Sequence, residues 1–237
     1  MSTGDRLRDF GQGPLSRWSA AIYWVVVVEL LIVVTALPTF VAIPLLDRDV
    51  SNIPLYALSL VPLGPALGAA LFAWREFVKD QYPSPAAHFW RGYRVAALDV
   101  LKVWVPLLVV LTILSMNTVH RELAGVPDWL AVGFALLALG FVLWACNVIP
   151  IAALLTFRLR DAARLAAYYL AGRPLATLGW LSLLVLALGA VWYFSDWVLV
   201  LLLSPLTYLA YRNAAPMVKE ITAHHTPEDP GQAAPAP

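Results

Sequence analysis

A single cysteine, 15 acidic and 16 basic residues are all the thiol and charge that this chain of 237 residues carries. Cys146 therefore has no intrachain partner, which excludes a disulfide framework, and its place inside an apolar run reads as a small buried side chain. With 13% charged against 61% hydrophobic residues, the composition excludes a soluble domain of this length. A net charge of +1 gives nucleic acid nothing to bind. Catalytic signatures are missing too: there is no HExxH, no GxSxG, no Walker-type glycine loop, no Cys and His metal spacing and no membrane pair of aspartates. The expectation is a non-enzyme without cofactor or metal, with His88 and His120 isolated in loops and His224 and His225 beside a flexible tail.

What the chain does have is long uncharged runs, and their lengths predict an all-α polytopic bundle of about six transmembrane helices. The predicted spans are 20–46, 50–74, 95–118, 129–157, 174–195 and 197–212. The last is the shortest, and it relies on snorkelling by Arg212 or on local thinning of the bilayer. With the N-terminus inside, all of the basic residues except Arg48 and Arg121 fall in or beside the cytoplasm, so both termini are expected there. Trp18, Trp24, Trp74 and Trp90 then mark the inner interface, and Trp129, Trp192 and Trp197 the outer one.

Residues 1–19 read as an amphipathic segment feeding the first span, because the run that follows them is too long for a signal peptide. Two cytoplasmic loops read as helices. Ser84 and Pro85 suit an N-cap and first helical position leading into the third span, and Gly172 with Pro174 stops RLRDAARLAAYYLAG. Residues 213–237 read as a cytoplasmic, largely disordered tail.

A leading GPLSRW, a first span ending in TALPT, a second reading GPALGAALFAWREF and then HFWRGYR opening the third make the chain similar to the YesL family of bacterial integral membrane proteins. The likeness covers most of residues 14–102 and is fainter beyond. Where family members carry an amide in the first span, this chain has Glu29 within VELL. The resemblance implies a bacterial inner-membrane location and an accessory role beside carbohydrate uptake systems of the ATP-binding cassette type.

Three constellations are candidates for function. Glu29 sits roughly 12 Å inside the first span if that helix begins near Ala21. Lys102 enters from the same side and is a potential partner, Asp99 competes for it, and Asn147 is the other polar residue at depth. Pro38, Pro62, Gly64, Pro65 and Pro150 are candidate helix breaks, with Gly64, Gly68 and Ala69 forming a small-residue face for close helix contact. Arg75, Arg91, Arg94, Arg158, Arg160 and Arg164 form a candidate surface for anionic headgroups or a membrane protein partner such as transporter components. The leading reading is a non-catalytic accessory or scaffold subunit, followed by a small transporter or channel using Glu29, then a lipid-acting membrane enzyme.

Overall fold

The computed structural model describes residues 14–79, 84–121, 127–155, 157–194 and 196–225, and among these every regular element is helical. The first crossing is α1 (Pro14–Thr35) continued by α2 (Leu37–Leu45). A 3-10 turn (Val50–Asn52) and α3 (Ile53–Ser59) lead into α4 (Leu63–Lys79). Then come α5 (Pro85–Val119), α6 (Asp128–Leu154), α7 (Leu159–Gly172), α8 (Pro174–Tyr193) and α9 (Asp196–His225). Five of these helices are long and apolar enough to cross a bilayer, and residues 50–59 with α4, bent by 41°, make a sixth where the bent pair counts as one span. The chain is thus a multi-pass helical membrane protein. One end of the bundle gathers Arg75, Lys79, Arg91 and Arg158 and forms its basic end. Asp47, Arg48 and Asp49 lie at the opposite end.

α4 is the hub, and much of the surface it turns to other helices carries nothing larger than a methyl group. Ala66, Ala69, Ala70 and Ala73 are fully buried. Without an oil-water difference to drive helices together, close backbone approach is what holds a bundle in lipid. At Gly64 an added Cβ would lie 2.5 Å from the Trp104 ring, and at Gly68 it would lie 2.8 Å from Val100. From the other side, a Cβ on Gly92 of α5 would meet Phe72 at 2.6 Å. Three glycines therefore set the distance between α4 and α5.

The break between α3 and α4 follows from Pro62 and Pro65, whose missing amides would leave carbonyls bare in hydrocarbon. Three carbonyls at the break have a donor. Val61 N–H donates to Leu58 O at 3.2 Å, the Thr39 hydroxyl to Ser59 O at 2.6 Å, and the Trp104 indole to Leu60 O at 2.9 Å. The chain leaves helix at Ala36, two residues before Pro38. Pro150, by contrast, does not break its helix, since α6 runs through it to Leu154.

Other expectations are corrected. Residues 213–225 are not tail but the last turns of α9, whose stripe of Tyr211, Ala214, Met217 and Ile221 is buried. The helix of the last crossing runs on past its uncharged stretch, through Arg212, Lys219 and Glu220, as a candidate span from Trp197 to Ala223. Residues 226–237 lie outside the described residues, as do 1–13. Ser84 occupies the N-cap of α5 with Pro85 behind it, yet its side chain makes no capping bond. His88 is in the first turn of that helix rather than a loop, and His120 is its C-cap. Trp24 and Trp74 are core residues, each 1% exposed, and not interfacial anchors. Trp18 and Trp90 are exposed toward the basic end, and Trp129, Trp192 and Trp197 toward the other.

Candidate functional site

Along α1 and the turn that ends it, Trp24, Val28, Ile32 and Ala36 recur every four positions and are buried as one stripe. Glu29 stands beside that stripe, half-buried, and faces α9. Its Oε2 accepts a 2.7 Å hydrogen bond from the backbone N–H of Ser204. Its Oε1 is buried and has no partner among the described residues, and the same holds for the Ser204 hydroxyl. Lys102 is elsewhere, bonded to Asp99 at 2.7 Å with both side chains more than half exposed. The pairing of Glu29 with Lys102 that depth alone allowed is therefore not made. Each helix spends its charge on a different neighbour, because Lys102 and Asp99, three residues apart, already share a face of α5.

Ser204 is placed by the SPLT stretch of α9. Pro205 cannot donate to Leu201 O, so the helical ladder is open at this level. The Thr207 hydroxyl donates to Ser204 O at 2.9 Å and accepts from the Trp74 indole at 3.1 Å. Polar groups of α4, α9 and α1 thus join in one chain through the middle of the bundle. Sequence reasoning missed Ser204, Thr207 and Trp74. A serine and threonine flanking a proline inside an apolar run was the available signal.

Toward the basic end this chain is sealed by rings. Trp24 lies 6.1 Å from Trp74 and 5.0 Å from Phe77, Tyr208 packs 4.9 Å from Trp74, and His88 stacks on Trp24 at 6.3 Å. Toward the opposite end lies a cleft of about 850 Å³. Thr39, Phe40, Tyr56 and Leu63 line one side of it, and Trp197 and Leu203 the other. Asp49 stands at its mouth, where the Ser51 hydroxyl (2.6 Å) and backbone N–H (2.8 Å) donate to Oδ1 and hold the carboxyl below its ordinary range.

The remaining candidates separate into structure and surface. Asn147, 2% exposed, accepts from the Trp180 indole at 3.1 Å and donates to Leu143 O, so it joins α6 to α8 and does not approach Glu29. Arg75 is no surface group. Its Nη1 donates to Leu154 O at 2.9 Å, its Nε to Glu76, and its guanidinium lies 4.4 Å from the centre of the Phe72 ring. It caps the C-terminus of α6. Replacing it by methionine is expected to free that end, seen as faster hydrogen exchange in the residues leading into α7 while the core of α4 keeps its protection.

Arg91 and Arg94 on α5, and Arg158, Arg160 and Arg164 at and on α7, are exposed. α7 holds its three arginines on a fixed support. Ala162, Ala166 and Tyr169 are buried, and the Trp144 indole donates to Ala163 O at 3.1 Å. Compared with protein-family models, with curated proteins and with solved structures, the chain matches none of them.

Proposed function

We propose that this protein is a non-catalytic accessory or scaffold subunit of a bacterial inner membrane, working through its basic end on the cytoplasmic side. The observation that carries this reading is the anchoring of α7. A loop whose arginines served only to orient the chain would need no tertiary support, since orientation depends on charge and not on geometry. Here Trp144 and a buried Ala-Ala-Tyr face fix the backbone that carries Arg158, Arg160 and Arg164 at the end that also carries Arg91 and Arg94. Fixing that backbone in advance lowers the entropy cost of binding. The resemblance to YesL proteins supports a carbohydrate uptake permease as the partner, and anionic headgroups flank the same surface.

A photo-crosslinking residue in place of the exposed Tyr168 is expected to trap a discrete membrane polypeptide in native membranes. Reversing Arg158, Arg160 and Arg164 to glutamate should abolish that adduct without changing the amount of inserted protein. Adducts to lipid alone, or an adduct indifferent to the reversal, would refute the reading.

A second reading, a small transporter, is favoured by a different observation. Glu29 and Ser204 present buried unpartnered oxygens in the middle of two crossings, where ionisable residues mark ion or substrate paths. Its test is cation or proton flux through the purified protein in liposomes.

A further inference from the structure

We propose that Glu29 and Ser204 form a binding site for a small monovalent cation. The proposal deepens the transporter reading and rests on it, and two features support it.

The first is the shape of the vacancy in hydrogen bonding. One bond, Ser204 N–H to Glu29 Oε2, locks the two residues together, and each then has one oxygen left over with nothing to meet it. Those two oxygens make no hydrogen bond to each other. A guest that accepts two oxygen ligands would satisfy both. Pro205 leaves the Leu201 carbonyl, one turn away on the same helix, without its helical amide donor. Carboxylate and hydroxyl make an all-oxygen pair, which suits a hard cation, and interrupted helices supply further carbonyls for sodium.

Charge fixes the valence. Among the described residues Glu29 has no cationic partner. α2 carries no titratable residue, Asp99 and Lys102 of α5 bond each other, and Arg75 and Lys79 of α4 both bond Glu76. His88 of α5 and Tyr208 of α9 belong to the ring cluster with Trp24, and Arg212 bonds Tyr208. One carboxylate and one monovalent cation leave the site neutral, whereas a divalent ion would leave an unpaired charge in hydrocarbon.

The test uses the full chain in nanodiscs, with sodium as the cation and dicyclohexylcarbodiimide as the probe, which modifies only a protonated carboxyl in apolar surroundings. Modification of Glu29, followed by mass spectrometry, is expected to slow on the order of tenfold when sodium is present at ten times its dissociation constant, relative to choline at equal ionic strength. Ser204→Ala should keep the modification and lose most of the sodium protection. Ser204→Gly, which keeps the backbone donor and lacks the hydroxyl, should behave alike and serves if the alanine variant does not fold. Glu29→Gln should insert normally and remain unlabelled. Equal labelling in sodium and choline would overturn the site, as would protection unchanged in both Ser204 variants. Protection by sodium without sodium flux in liposomes would refute transport and leave the site standing.

Discussion

Gly64→Val is expected to lower the thermal unfolding midpoint of the purified protein sharply. The new Cβ would enter the Trp104 ring at 2.5 Å from both Cγ and Cδ1, and the ring cannot swing aside freely because its indole nitrogen is bonded to Leu60 O. Relief requires either that α4 and α5 move apart or that the indole lets go of a carbonyl in the break between α3 and α4. Overpacking of this kind costs about 1–3 kcal/mol, and losing the indole bond adds about 1 kcal/mol more. Ala66 on the same helix is also fully buried, but its methyl group is already accommodated there. A midpoint for Gly64→Val within a degree of wild type would show that the interface between these helices is not set by glycine.

Asn147→Leu is expected to be nearly as damaging, because it removes the acceptor of a buried donor. The Trp180 indole nitrogen, on a residue only 5% exposed, would have no partner for its hydrogen, at a cost of about 1–3 kcal/mol. The sign of the effect can be isolated. Adding Trp180→Phe to Asn147→Leu removes the stranded donor, so the double variant should unfold later than the sum of the two single changes predicts, by about 1 kcal/mol of coupling in a thermodynamic cycle. Additive single effects would mean that Asn147 contributes through volume alone. α8 is the helix that would feel this change, since Trp180 is its one fully packed aromatic while Leu175, Leu188 and Trp192 face outward.

Both sites lie where the sequence stops being informative. The small-residue face of Gly64, Gly68 and Ala69 was visible as a pattern, and so was Glu29 as a costly residue at depth. What Glu29 meets was not, because many helix arrangements place two residues at one depth and only contact selects among them. Ser204 and Thr207 went unnoticed for a related reason: in an apolar run they read as tolerated small polar residues. Their significance comes from Trp74 and Glu29, which are far away in the chain. The arginines show the same limit from the other side. Arg75 and Arg160 look alike as loop cations, yet one is bonded to a helix end while the other is exposed.

The sequence by itself determined that this chain is a helical membrane protein of five or six apolar crossings, and which end is basic. Those properties follow from run length and charge distribution, which act residue by residue against the bilayer and do not depend on which helices touch. Only the tertiary structure decided that α4 lies at the centre, that α9 continues as a packed helix to His225, and that Glu29 belongs with Ser204 and not Lys102. Such choices are made by steric fit and by single hydrogen bonds between segments far apart in the chain, and in lipid, where apolar surface distinguishes poorly between helix neighbours, those are the interactions that discriminate.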